Sequence, residues 1–182
     1  NDKGTKKPVK YRVVETAIPG YAATYSYNPT GYVAGTDQEG GFTEDQVLTV
    51  TITNTLDTVS HTVQKEWKSD NESDRPTDIT IQLYRKLLGE EDTAYKPVLD
   101  EVKLQKGSGW QSFTFTGLPK YHVSGDIKNE YVYMAKEIKI GEQVVDSDNT
   151  AMGYQVSHQL SGTLTSIKNE LIRTELNVTK VW

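Results

Sequence analysis

The sequence has no cysteine and only two methionines, six prolines and three histidines among its 182 residues. Without cysteine there is no disulfide and no thiolate metal site. His61, His122 and His158 stand too far apart in sequence to form a local ligand motif, so neither a metal nor a cofactor is expected. No apolar run approaches the roughly 20 residues that a spanning helix needs, and no membrane insertion is expected. Basic residues are scattered and outnumbered, with 20 Lys and Arg against 25 Asp and Glu and a net charge of -5. That balance argues against nucleic acid, whose phosphates are held by clustered Lys and Arg. An initiator Met, a signal peptide and an anchoring tail are missing too, and the expectation is an excerpt from a longer polypeptide. If such a chain works outside a cell, something other than disulfides must staple it.

What is present is alternation. Apolar and polar residues alternate over 61–67, 78–85, 97–104, 110–116, 130–137, 154–160 and 163–169. Turn residues separate these runs, among them Arg75-Pro76, Gly107-Ser108-Gly109, Gly117-Leu118-Pro119 and Asp146 to Asn149. Few segments look helical, and seven short strands predict an all-β sandwich.

Three segments occur twice, and self-similarity of this kind exposes modular construction. Val63-x-Lys65-x-Trp67 returns as Val178-x-Lys180-x-Trp182. Tyr133-x-Ala135-x-Glu137 is prefigured by Tyr11-x-Val13-x-Glu15, and a Gly-Tyr pair follows each, Gly153-Tyr154 and Gly20-Tyr21. The strand ending Ile167-Lys168-Asn169 matches the one ending Ile52-Thr53-Asn54. The expected organisation is therefore the back part of one module over 1–57, a complete module over 58–173, and the first strand of a third over 174–182.

Side chains two apart on a strand share a face. Lys65 therefore shares one with Val63 and Trp67, Glu137 with Tyr133 and Ala135, and Asn169 with Ile167. If the apolar members point inward, a lysine, a glutamate and an asparagine do so too. An unpaired buried charge is costly, so these groups must neutralise, pair or react. Burial favours a neutral Lys65 amine, which is a nucleophile, and a protonated Glu137, which can polarise the Asn169 side-chain carbonyl. Attack on that carbon with loss of ammonia would leave an isopeptide bond. A buried ion pair hydrogen-bonded to the amide satisfies the same groups without covalent chemistry, and the residues alone leave both outcomes open.

The ordered set of Val63 to Trp67, Arg75-Pro76 before Ile79 to Tyr84, Trp110 to Phe115 running into Gly117-Leu118-Pro119, Tyr133 to Glu137, Gly153-Tyr154 and Ile167-Lys168-Asn169 resembles the B-type repeat of Gram-positive collagen adhesins, the CnaB-like domain of surface adhesins and pilins. The resemblance covers essentially all of 58–173. It implies an Ig-like sandwich of the inverse, CnaB type, in which a first-strand lysine bonds to a last-strand asparagine with the help of a central-strand acid. Here those positions are Lys65, Asn169 and Glu137. Glu15 and Asn54 would be partial sites of the preceding module and Lys180 of the following one; the three could meet only if terminal pieces combined.

The implied function is a structural stalk module of a bacterial cell-surface adhesin or pilus-like protein, extracellular and anchored to the cell wall through other regions. Its partners would be neighbouring repeats and, through other domains, host extracellular matrix. Self-cross-linking happens once per molecule, so no enzyme with turnover is expected. The alternative is a ligand-binding module that uses exposed tyrosines such as Tyr25, Tyr27, Tyr32 and Tyr95, or the insertion-like 85–97 loop. A glycosidase with paired carboxylates ranks last, because abundant Asp and Glu are its only support. The acidic 69–74 segment lacks the spacing and central glycine of a calcium loop and is expected to be a solvated turn.

Overall fold

The computed structural model describes residues 13–28, 49–107, 112–173 and 178–181. Tyr11, Tyr32 and Trp182, and the start of the expected 110–116 strand, lie outside the described residues. Two compact units share the chain, Asn1–Asp57 together with Val123–Lys128, and Thr58–His122 together with Asn129–Trp182.

The first unit is built on an antiparallel pair, β1 (Tyr21–Asn28) and β2 (Thr49–Leu56), in which Tyr21 faces Leu56 and Asn28 faces Thr49. Among the described residues of this unit, Tyr27 is the buried aromatic. Tyr25 is half-buried and its hydroxyl accepts the Glu15 N–H at 3.1 Å. Neither is the exposed contact residue expected from the sequence, although Tyr21, on the same face of β1, is exposed.

The second unit is built on β3 (Thr58–Lys68), β4 (Asp78–Leu87), β5 (Lys96–Gln105), β6 (Ser112–Pro119), β7 (Tyr121–Ser124), β8 (Ile127–Ile140), β9 (Gln143–Val144), β10 (Thr150–Ala151), β11 (Tyr154–Ser161) and β12 (Leu164–Leu171), except that the tip joining β7 to β8, Val123–Lys128, is counted with the first unit. They form two sheets. One runs β10-β11-β12-β3-β6, the other β5-β4-β8-β7 with β9 against β8. Each of the seven expected strands corresponds to one of the longer strands. The additional β7, β9 and β10 have only two to four residues, too few to show a period. Between β10 and β11, Met152 and Gly153 both take positive φ, 50° and 77°, as a two-residue primed hairpin turn requires.

Apolar residues of the two sheets meet in one core, with Val63, Phe115, Val156 and Ile167 on one side and Ile79, Ile81, Leu83 and Ala135 on the other. The all-β sandwich is thus the observed fold. The 85–97 segment is a hairpin connection closed by Lys86, whose ammonium donates to Glu90 O and Asp92 Oδ1, each at 2.7 Å.

Two features of this topology position the site. First, the opening strand β3 and the closing strand β12 lie side by side in parallel, with Lys65 opposite Ile167 and Trp67 opposite Asn169. Lys65 and Asn169 are therefore diagonal neighbours on the core-facing side. Second, β8 carries an extra residue, Ile138, because Thr80 pairs with Lys139 and Ile81 with Glu137. Such a bulge bends a strand and re-aims the side chain beside it.

Candidate functional site

Strand alternation brings Lys65, Glu137 and Asn169 inside the sandwich, as the shared-face argument expects; the residues are 8%, 2% and 0% exposed. The Lys65 Nζ lies 3.0 Å from Glu137 Oε2. Asn169 Nδ2 donates to Glu137 Oε1 at 2.6 Å. The carboxylate thus bridges the other two groups. The Lys65–Glu137 contact has ion-pair distance but not hydrogen-bond alignment, and Asn169 Oδ1 is buried with no hydrogen-bond partner.

Burial dominates the electrostatics. It pushes the Lys65 ammonium down to about 8, against the opposing attraction of the Glu137 charge. It also raises Glu137 above the ordinary carboxylate range, against Lys65 and the Asn169 hydrogen bond. Both shifts favour the neutral forms. Moving one proton from Nζ to the carboxylate converts the ion pair into an amine and a carboxylic acid without changing the net charge of the cluster.

In one respect the geometry differs from the sequence-based mechanism. Glu137 touches the nitrogen of the Asn169 amide, not its carbonyl oxygen. An acid placed there can deliver a proton to a departing amide nitrogen, which is the step that makes ammonia a leaving group.

A polar and aromatic cap covers the cluster. The Trp67 ring lies 4.6 Å from Lys65 Nζ and meets Tyr154 edge-on at 5.0 Å between centroids. Asp70 accepts Arg75 Nε at 3.0 Å and Nη2 at 3.1 Å, and the Tyr154 hydroxyl at 3.0 Å. Its side chain is 2% exposed. Burial alone would raise the Asp70 pKa, but the hydrogen bonds from Arg75 and Tyr154 outweigh it and hold the carboxyl below its usual value. The expectation of a solvated 69–74 turn is therefore corrected at Asp70. The Arg75-Pro76 turn, noted in the sequence only as punctuation, supplies the partner that lets this acid leave water.

The other singled-out residues fall elsewhere. In the first unit Asn54 Nδ2 donates to Glu15 Oε1 at 3.0 Å, near the surface. Lys180 is exposed. Tyr95 is half-buried under the Lys86 ammonium, 4.9 Å from its ring centroid. Among the described residues no group of three or more His, Cys, Asp or Glu is arranged to hold a metal ion. Nor is any described helix long and apolar enough to cross a membrane.

Sequence reasoning missed two histidines. His61 is buried, with Nε2 2.7 Å from Thr165 Oγ1. His158 Nε2 accepts the backbone N–H of Glu137 at 2.9 Å. The alternation that placed Lys65 inward also places His61 inward, so that signal was available for it.

The family model described as the Cna protein B-type domain matches residues 61–161. A search of curated protein sequences returns no match. Among solved structures, the chain is similar to a single B repeat unit of the collagen binding surface protein of Staphylococcus aureus. The identity is 18% and the TM-score 0.46, covering 75% of this chain and 72% of that one. A two-repeat structure of the same protein is 20% identical with a TM-score of 0.37, covering 94% and 35%. The pilus adhesin SpaC of Lactobacillus rhamnosus GG is 17% identical with a TM-score of 0.44; 71% of this chain matches 15% of that one.

Proposed function

The chain belongs to the Cna protein B-type domain family, and from that premise we propose that its complete module, 58–173, is a stalk module of a bacterial surface adhesin or pilus, stapled by an isopeptide bond between Lys65 and Asn169. The observation that carries this reading is the Glu137 carboxylate lying 3.0 Å from the Lys65 amine and 2.6 Å from the Asn169 amide in a water-excluding core. Glu137 Oε2 takes a proton from Nζ, and the neutral amine attacks Asn169 Cγ. Glu137 then returns that proton to Nδ2, the Cγ–Nδ2 bond breaks and ammonia leaves, and Glu137 takes the second proton from Nζ, so that a neutral amide remains beside a protonated carboxyl. One N–C bond forms for the one that breaks. Alignment by the fold supplies most of the acceleration, since it makes two amide-forming groups permanent neighbours. The bond forms once, so the acid acts within its own molecule and the protein has no turnover.

The parallel β3/β12 neighbours give the bond a mechanical meaning. Tension entering at residue 58 and leaving at 171 pulls the two strands past each other. A Lys65–Asn169 link passes that load directly and leaves the chain between them slack. Modules over 1–57 and beyond 174 would extend the same stalk, placed outside the cell on the wall surface, with neighbouring repeats as its immediate partners.

Intact mass tests the reading. A deficit of one ammonia that Glu137→Ala abolishes is the expected result; an unaltered mass would reduce the cluster to a buried ion pair.

A second reading, a ligand-binding module, rests on one feature: a groove of about 450 Å³ beside the 85–97 hairpin, lined by Arg85, Lys86, Lys96, His122 and Tyr131. Binding of the purified chain to matrix proteins or glycans, lost on Arg85→Glu, would favour it.

A further inference from the structure

β7 flanks only the first part of β8, and Tyr131 N–H gives its hydrogen bond to Lys120 O at 2.9 Å. Between that point and Lys139, where β9 begins to pair with β8, side chains of the opposite sheet reach the outer edge of the strand. Ala135 N–H donates to Thr165 Oγ1 at 3.1 Å, and Glu137 N–H donates to His158 Nε2 at 2.9 Å. A buried edge N–H must find an acceptor. At residue 135 that acceptor is a hydroxyl, which does not titrate in water. Beside the reactive acid it is an imidazole, which does.

We propose that His158 is a positioning residue for the cross-linking reaction: its bare Nε2 holds the Glu137 backbone so that the carboxyl spans Lys65 and Asn169, and protonation of the ring releases that hold. The inference rests on the isopeptide reading and adds a control to the same site. Because a backbone N–H can only donate, Nε2 must carry no proton and the neutral ring must carry its proton on Nδ1. An imidazolium would turn an N–H against an N–H. Around the ring stand Lys65 on β3, Lys136 and Glu137 on β8, and uncharged Ile167, its register partner on β12. Burial, with the charges of Lys136 and Lys65, lowers His158 to about 4, so the hold is intact at neutral pH and fails in acid.

The test follows ammonia loss by mass after full chain, kept unreacted in urea, is diluted into buffers from pH 4 to 8. His158→Leu should slow the reaction by about tenfold or more at pH 7, as small misplacements of reacting groups do. His158→Gln, whose side-chain oxygen can accept the same N–H, should stay within about threefold of the parent. The parent should also lose rate more steeply than the Gln variant below about pH 4.5, because only the parent gains the ring proton. A Leu variant as fast as the parent, a Gln variant as slow as Leu, or superimposable acid limbs would each overturn the proposal. If the parent itself never loses ammonia, the cross-link reading fails. Exchange of the Glu137 amide proton then still decides the hold: faster exchange in His158→Leu supports it, and unchanged exchange overturns it.

Discussion

The chain holds two acid–amide pairs of the same design in different surroundings. Glu137 and Asn169 meet at 2.6 Å, both almost fully buried, with a lysine 3.0 Å away. Glu15 and Asn54 meet at 3.0 Å near the surface. The repeated sequence pattern therefore places an acid against an asparagine amide in both units. What the second unit adds is burial and an amine. Burial makes the charged forms of Lys65 and Glu137 expensive, and the amine would be the nucleophile of the proposed cross-link. The comparison separates geometry, which recurs, from the dry site and third group that the proposed reaction needs.

Removing either partner of the proposed link, the amine or the amide, should have the largest effect. Lys65→Ala or Asn169→Ala should abolish the ammonia deficit of the proposed bond and leave open a loop of about 100 residues, whose closure would be worth about 4–5 kcal/mol if disulfide loop arithmetic applies. For a module of this size the melting temperature should fall by about 15 °C, read by calorimetry. An equal melting temperature in parent and variant would mean that no bond distinguishes the two pairs.

Acid should next reveal the buried region. Burial lowers His61 to about 4 from its ordinary 6.5. Between those values the unfolded chain binds the proton and the folded chain does not, so stability is complete above about pH 6.5 and declines as pH falls towards 4. The loss at this fully buried ring is on the order of 3 kcal/mol. Urea midpoints at pH 7 and pH 4.5 should differ less in His61→Gln than in the parent. Equal differences would remove His61 from the account.

The cap should matter less. Asp70→Asn keeps the shape but gives up the charge that holds Arg75 and Tyr154, at a cost of about 2 kcal/mol. It should also admit water to Lys65 and slow ammonia loss, checked by denaturation and mass on the same sample. A variant as stable as the parent would show that Trp67 and Tyr154 cover the cluster unaided.

Much of this architecture was legible as alternation. The seven long strands and the inward faces of Lys65, Glu137 and Asn169 follow from a period of two, because a strand can bury only one side of its alternating pattern. Asp70 was not legible, since an acid among SDNESD looks solvated until a turn folds Arg75 back onto it and β11 brings Tyr154 from 84 residues away. His158 was not legible for a different reason. Its partner is a backbone N–H exposed by a missing strand neighbour, and sheet edges are decided by topology, not by local sequence. The amide orientation at Asn169 was equally hidden, because no periodicity distinguishes the oxygen from the nitrogen of a side-chain amide.

The smallest effect belongs to the first unit. Glu15→Gln and Asn54→Ala change a pair whose asparagine is exposed and whose acid is half-buried, and each should alter stability by no more than about 1 kcal/mol. Neither should change the number of ammonia molecules lost, and peptide mapping should find the single linked pair at Lys65 and Asn169. Asn54 is the sharper probe of the two, because ammonia released from it would require an amine to have reached the surface pair. Finding Asn54 linked to any lysine would break the distinction between the two regions: acid–amide geometry alone would then suffice for reaction, and burial would govern only how fast the amine arrives.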